Sequence, residues 1–156
     1  MTDIPVTIDE IMSIMETAFD PYYGEAWNRR QIEDALSMPH THALLIDEVG
    51  SRLTYPSAGS AAGFAMSRHA ADEEELLLLA VRPEHRGNGL GKSLIEHLFA
   101  AARSRSVARV FLEMRRDNPA ESVYRTTGFE AIGVRPSYYR LANGERIDAI
   151  TFAKSI

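Results

Sequence analysis

Apolar side chains recur along the first part of the chain with the spacing of one helix face. In the N-terminal segment this face comprises Ile8, Ile11, Ile14 or Met15, and Phe19. The repeat ends at Asp20-Pro21, because proline cannot continue a helix. A second short helix is predicted over residues 28–37. The turn-rich segment PYYGEAW between them (residues 21–27, the aromatic loop below) is predicted to be a loop, where binding residues often collect.

Shorter apolar runs bounded by turn residues predict the strands. Residues 42–47 and 62–70 form a hairpin, and residues 76–81 (LLLLAV) form a strand covered on both faces, after an acidic turn at residues 72–75. Helices and strands then alternate: a helix over residues 89–104, a strand over 108–114, a short helix over 120–126, and strands over 129–134 and 147–153. No linker or repeat divides the chain, so we expect one α/β (α+β) domain spanning residues 1–156.

The amino-acid composition excludes several kinds of functional site. The chain has no cysteine, which excludes a disulfide scaffold, a thiolate metal site and a cysteine nucleophile. Its five histidines show no metal-ligand spacing, so no metal is predicted. The net charge of −5 argues against a general nucleic-acid surface. No segment approaches the roughly 20 apolar residues that span a bilayer, and no signal peptide is recognisable, so we expect a cytoplasmic protein without membrane contact.

A glycine-rich turn between a predicted strand and a predicted helix carries the strongest chemical signal. Gly87, Gly89 and Gly91 leave backbone N–H groups unobstructed at a helix start, an arrangement that attracts phosphate. A P-loop fails because Arg86 stands where its first glycine is required. The dinucleotide fingerprint fails because Lys92 stands at its last glycine. The pattern Arg/Gln-x-x-Gly-x-Gly/Ala fits at Arg86, Gly89 and Gly91.

This last pattern resembles the acetyl-CoA loop of the GCN5-related N-acetyltransferase (GNAT) superfamily, and the resemblance runs from Ala18 to the end of the chain. Within it, the chain resembles the RimI-type ribosomal-protein-alanine N-acetyltransferases. The shared features are Trp27 after the first helix, LEMRRDN at residues 112–118, VYRTTGF at 123–129, Tyr138-Tyr139, and GERIDAI at 144–150.

The resemblance implies a fold and a cosubstrate. The expected sheet is central, mixed and mostly antiparallel, with helices on both faces and two splayed strands that grip acetyl-CoA. The residues expected to contact acetyl-CoA are Leu79, Ala80, Val81, Arg86, Gly87, Asn88, Gly89, Leu90, Gly91, Lys92, Asn118 and Tyr124. Leu79 and Val81 would bond the pantetheine through their backbones, and residues 86–92 would hold the pyrophosphate.

The resemblance also implies direct acetyl transfer to a primary amine, with two catalytic side chains. Glu113 is the candidate base, and the alternative is a surface carboxylate paired with Arg115 or Arg116. Tyr124 is the candidate acid for the leaving sulfur, and the alternative is a packing residue. Asn118 is expected at the pantetheine arm, or as a helix N-cap.

The acceptor is expected to be a basic peptide N-terminus, that of an alanine-starting ribosomal protein. The aromatic residues expected to line its site are Tyr22, Tyr23, Trp27, Tyr138 and Tyr139, although Trp27 could simply pack in the core. Two positions depart from the subfamily: the step from Asn118 to Tyr124 is one residue short, and Leu78 replaces a common asparagine. A small-molecule amine and a CoA-binding regulatory module without turnover stay open as alternatives.

Overall fold

The N-terminal helical repeat folds as the pattern predicts. In the computed structural model, which describes residues 4–156, helix α1 spans Ile4–Ala18 and buries its apolar face. Helix α2 (Arg29–Leu36) begins after Asn28, whose side chain accepts a hydrogen bond from the Gln31 backbone N–H. The Gln31 side chain in turn accepts from the Asn28 N–H. This reciprocal capping box accounts for the start of the helix.

The remaining elements follow the predicted order. Two further helices and seven strands are present: β1 (Thr41–Ile46), β2 (Arg52–Leu53), β3 (Gly63–Ala70), β4 (Glu73–Val81), α3 (Leu90–Ser104), β5 (Arg109–Arg115), α4 (Glu121–Thr126), β6 (Glu130–Arg140) and β7 (Arg146–Ser155). The two-residue strand β2 was not predicted. Strand β6 continues to Arg140 rather than ending at residue 134, because it pairs with β7 as far as Arg146.

The strands form one mixed sheet in the order β2-β1-β3-β4-β5-β7-β6. Its described neighbours pair antiparallel except β4 and β5, which are parallel. Helices α1 and α2 cover a core on one face that includes Ile11, Ile32 and Phe64. Helix α3 covers a second core with Leu94, Leu98 and Phe152. This is the predicted sheet with helices on both faces. Within residues 4–156, no helix combines the length and the apolar character needed to cross a bilayer.

The acidic turn predicted at residues 72–75 is wrong, because strand β4 already begins at Glu73. The turn is formed instead by the two preceding residues, with Ala71 at φ 53°. The strand tolerates three successive glutamates because each meets an arginine from a neighbouring segment. The pairs are Glu73–Arg109 at 2.9 Å, Glu74–Arg105 at 2.6 Å and Glu75–Arg68 at 3.1 Å.

Candidate functional site

The main cleft opens where β4 and β5 separate. These strands pair only between residues 73–75 and 109–111, and beyond that point they diverge. The space between them has a volume of about 940 Å³. Both strands, the glycine-rich loop, α4 and the aromatic loop line it. Its size lies at the upper end of the range for small-molecule sites, and the splayed strands expected from the resemblance are present.

Backbone polar groups of β4 face this cleft. The Arg82 N–H donates to the Ala62 carbonyl on the β3 side at 2.8 Å, and the antiparallel pattern alternates from there. Ala80 therefore directs its backbone groups toward β3. Leu79 and Val81 direct theirs toward the open edge, where β5 no longer reaches. An open strand edge can pair with another extended, amide-containing group.

A one-residue bulge interrupts β4 beside the cleft. Met66 pairs with Leu78 and Ser67 with Leu76, so the intervening Leu77 has no opposite residue. The bulge turns Leu76 toward the α3 core and buries Leu78 beneath α1 and α2. Leu78, the residue that replaces the asparagine of the subfamily, is thus a core residue here.

The glycine-rich loop leads into the N-terminus of α3 at one end of the cleft. Gly87 and Gly89 have φ of 80° and 76°, a conformation that side chains disfavour. Gly91 lies inside α3, where an added Cβ would come within 3.4 Å of Val123 on α4. All the predicted acetyl-CoA contacts line the cleft except Asn88, whose side chain donates to the His85 carbonyl.

The charged residues of this loop have protein partners. The Arg86 guanidinium donates to the Ala18 carbonyl at the end of α1, at 2.8 Å. Lys92 is exposed and lies 3.8 Å from Glu96 one turn along α3. Backbone N–H groups at the helix start, together with the exposed Lys92, are the groups available to an anion at this end of the cleft.

Tyr124 reaches the cleft from α4. Its side chain is buried and packs edge-on against Phe129, with ring centroids 5.7 Å apart. Its hydroxyl has no hydrogen-bond partner among residues 4–156. Burial, and then the negative charge of Glu25, raises the pKa of the Tyr124 phenol well above its usual value. The phenol is therefore neutral at neutral pH, as an ordinary tyrosine also is.

Glu113 enters the same cleft from β5. Its carboxylate forms an ion pair with Arg135, with 2.9 Å between Oε2 and Nε, and accepts a hydrogen bond from the Thr151 hydroxyl at 3.5 Å. The sequence alternative, a pairing with Arg115 or Arg116, is not what the structure contains. Only 19% of the Glu113 side chain is exposed, and it also lines the cleft.

A buried ion pair that the sequence analysis missed joins the aromatic loop to β5. The Arg115 Nε lies 3.3 Å from a carboxylate oxygen of Glu25, and its guanidinium stacks 3.5 Å from the Tyr23 ring centroid. The one sequence signal for this ion pair is that Glu25 lies within the aromatic loop, which was predicted to hold binding residues. Nothing in the local pattern of LEMRRDN distinguishes buried Arg115 from exposed Arg116.

Asn118 lines the cleft with both ends of its amide engaged. Its Nδ2 donates to Glu25 at 3.3 Å, and its Oδ1 accepts from the Ala120 N–H at 2.9 Å. The second contact organises the turn that leads into α4, but the N-cap of α4 is Ala120 and not Asn118 as the sequence alternative had it. A contact with the pantetheine arm stays a prediction.

The predicted aromatic wall is divided by the structure. Tyr23, Trp27 and Tyr139 line the cleft, whereas Tyr22 and Tyr138 lie beside it, 38% and 48% exposed. Trp27 also packs against the α1–α2 core, as its structural alternative proposed. The Ala142 N–H donates to the Tyr22 carbonyl at 3.0 Å, which ties the β6–β7 turn to the aromatic loop.

Among the aromatic residues predicted to line the acceptor site, Tyr139 has a shifted pKa. Burial, and then the nearby charge of Glu113, raises the pKa of its phenol to about 12. Tyr139 is therefore a neutral hydrogen-bonding group at neutral pH, adjacent to the candidate base.

Three of the histidines lie together at the opposite end of the sheet. His42 and His69 are 2.7 Å apart between Nε2 and Nδ1, and the His40 ring lies 4.7 Å from that of His69. In the described part of the chain, no three His, Cys, Asp or Glu side chains are grouped so that they could hold a metal ion.

The fold and cleft define the class of protein. The model of the acetyltransferase (GNAT) family matches residues 8–129, and the chain belongs to this family. The resemblance found from the motifs is thereby confirmed.

Individual relatives refine this assignment. The chain is 38% identical over 99 residues to the [ribosomal protein bS18]-alanine N-acetyltransferase of Escherichia coli, which covers 63% of this chain and 66% of that protein, just under two thirds. It is 34% identical over 131 residues to the N-alpha-acetyltransferase RimI of Mycobacterium tuberculosis, covering 81% and 72%. The crystal structure of the ribosomal-protein-S18-alanine N-acetyltransferase from Escherichia coli superimposes with a TM-score of 0.78 at 27% identity, over 96% of this chain and 87% of that one.

Proposed function

We propose that this protein transfers an acetyl group from acetyl-CoA to the N-terminal amine of a protein that begins with alanine, most specifically a ribosomal protein. The observation that carries the proposal is the convergence of Glu113 from β5 and Tyr124 from α4 on the cleft between the splayed strands. The Escherichia coli relative described above, which is named for alanine acetylation of a ribosomal protein, supports the choice of acceptor by both its sequence and its structure.

The chain's own groups fit acetyl-CoA. The open edge of β4 offers the backbone groups of Leu79 and Val81 to the amides of the pantetheine arm. The loop from Arg86 to Lys92 and the start of α3 offer N–H groups to the pyrophosphate. The absence of side chains at Gly87 and Gly89 keeps the approach to this backbone open. When bound, acetyl-CoA supplies the thioester whose C–S bond breaks as the new C–N bond forms.

Two side chains carry out the proton transfers of this reaction. The acceptor arrives as an ammonium ion, and Glu113 takes its proton directly or through one water. An α-amine with an ordinary pKa near 8 needs only modest help at neutral pH. Tyr124 gives its phenolic proton to the sulfur that leaves, and the second proton that the amine nitrogen loses in forming the amide returns to the phenolate. A β4 backbone N–H would stabilise the negative charge that develops on the carbonyl oxygen.

The acceptor site would be the aromatic end of the cleft. Tyr23, Trp27 and Tyr139 line it and give the first residues of a peptide an apolar wall with polar edges. Glu25 and Glu113 lie at the same end, each paired with an arginine, so a positively charged acceptor would gain a carboxylate partner by replacing one of these arginines.

The test combines binding with turnover. Acetyl-CoA is first titrated into the protein by calorimetry, and thiol release is then followed with a short alanine-starting peptide. The same peptide with a blocked N-terminus is the matched control, and a panel of small amines is offered separately. We expect tight acetyl-CoA binding and thiol release that requires the free peptide N-terminus.

Any other result of this assay identifies which part of the proposal is wrong. Release with a small amine alone would retain the reaction and replace the acceptor. Binding without release to any amine would indicate a CoA-binding module, and absence of binding would contradict the role of the glycine-rich loop.

A further inference from the structure

Two carboxylates and two arginines meet at the acceptor end of the cleft, and they are paired in two different ways. Glu25 is held by Arg115, whose side chain is only 8% exposed and is stacked on Tyr23. Glu113 is held by Arg135, whose side chain is 63% exposed. The two carboxylates are similarly covered, 21% exposed for Glu25 and 19% for Glu113, so the difference lies in the arginines. Release of Arg115 would leave its own charge without solvent, whereas the Arg135 guanidinium is already in contact with water. Arg135 is therefore the arginine that can leave.

The sheet register explains how Arg135 reaches Glu113. Glu113 is opposite Thr151 on β7, which in turn is opposite Gly133 on β6. Gly133 has no side chain, and nothing lies within 4 Å of the position that its Cβ would take. Arg135, two residues further along β6 and opposite Ala149, reaches diagonally across β7 to Glu113. It approaches Glu113 from the sheet edge, while the Glu113 carboxylate also lines the cleft.

We propose that Arg135 is a specificity-determining residue: its guanidinium neutralises Glu113 in the free protein and is displaced by the ammonium group of the acceptor. The inference rests on the proposed function, because it assumes that Glu113 receives the acceptor's proton. An ammonium can replace a guanidinium at a carboxylate with no net change in charge, whereas a neutral acceptor would leave the Glu113–Arg135 pair in place. The site thus selects cationic amines by exchanging one cation for another.

The surroundings of Arg135, on the side away from Glu113, allow its side chain to move. The Arg135 guanidinium also lies 5.2 Å from the ring centroid of Tyr138, which is itself half exposed. The displaced side chain can keep this cation–π contact as it leaves Glu113. The backbone after Arg135 is irregular, since the β6–β7 register shifts between Arg135 and Tyr139 and Ser137 has φ 53°.

The experiment separates KM from kcat for the alanine-starting peptide. In Arg135→Gln the competing cation is gone, so we expect the KM for the peptide to fall by about fivefold, the factor for an ion pair of roughly 1 kcal/mol with one exposed partner. The kcat and the KM for acetyl-CoA should not change. Arg135→Lys retains a cation and should restore a KM close to that of the wild type.

Arg109→Gln is the matched control, because it removes an exposed pair of the same 2.9 Å length, with Glu73, away from the cleft. It should leave all kinetic constants unchanged, and thermal melting of each variant checks its folding. A raised or unchanged peptide KM in Arg135→Gln would overturn the inference while the proposed function stands. A wild-type protein that releases no thiol with any amine would overturn both.

Discussion

Removal of the Tyr124 hydroxyl is the sharpest test of the proposed chemistry. Tyr124→Phe deletes one oxygen from a buried side chain and keeps its packing against Phe129. Because the hydroxyl has no hydrogen-bond partner among the described residues, its removal leaves no protein group unsatisfied. We therefore expect the free energy of unfolding to change by less than about 1 kcal/mol.

The effect on turnover should be much larger. A positioned general acid contributes roughly 10²- to 10⁴-fold to a rate, and 10²-fold corresponds to about 2.7 kcal/mol of activation free energy. Since the pKa of the Tyr124 phenol is raised, the acid form persists through neutral pH and is lost only above the ordinary tyrosine value of about 10. Deprotonation of Tyr124 therefore causes no loss of wild-type activity below that pH.

The assay is thiol release at saturating peptide and acetyl-CoA, with acetyl-CoA affinity measured by calorimetry. Tyr124→Phe should lower kcat by about 10²-fold or more and leave the affinity nearly unchanged. Tyr55→Phe is the control, because Tyr55 is 72% exposed and does not line the cleft. A kcat equal to that of the wild type would remove Tyr124 as the acid. Parallel losses of kcat and acetyl-CoA affinity would make it a binding residue.

Three further predictions concern the loop, the base and the histidines. Gly89→Leu should abolish acetyl-CoA binding in calorimetry. Gly59→Leu is the control, because Gly59 has the nearly identical φ of 77°, so the substitution should strain the backbone equally and retain binding. Retained binding in Gly89→Leu would contradict the role of the glycine-rich loop. Glu113→Gln should lower kcat by about 10²-fold with unchanged acetyl-CoA affinity, and an undiminished kcat would exclude it as the base. Burial, and then the charge of Arg105, lowers the pKa of His42 to about 4. The folded protein thus binds fewer protons than the unfolded chain between pH 4 and 6.5, and its stability falls as the pH drops through that window. Because His42 is only partly buried, solvent screens its surroundings and the loss should be on the order of 1 kcal/mol. His42→Gln should flatten the dependence of the melting temperature on pH, and an unchanged dependence would refute this origin.

Local patterns in the sequence were sufficient for most of the elements and for the position of the glycine-rich loop. Helical spacing identified α1 and α3, and three glycines at a strand-to-helix turn predicted a phosphate-binding loop. These features depend on backbone conformation and on residues within a few positions of one another. The motif resemblance supplied Glu113 and Tyr124 as a candidate pair, and the structure brings both to one cleft.

The partners of charged residues were decided only by the tertiary structure. Residues 73–75 looked like an acidic turn, yet arginines from other segments let them form a strand. The pairing of Glu25 with Arg115 joins positions 90 residues apart, and that of Glu113 with Arg135 depends on the register of three strands. The physical reason is the separation along the chain: the spacing of nearby residues specifies the local backbone conformation and the apolar face of each helix or strand. The partner of a charge depends on which strand edges and loops the packed sheet brings together, and no local pattern encodes that.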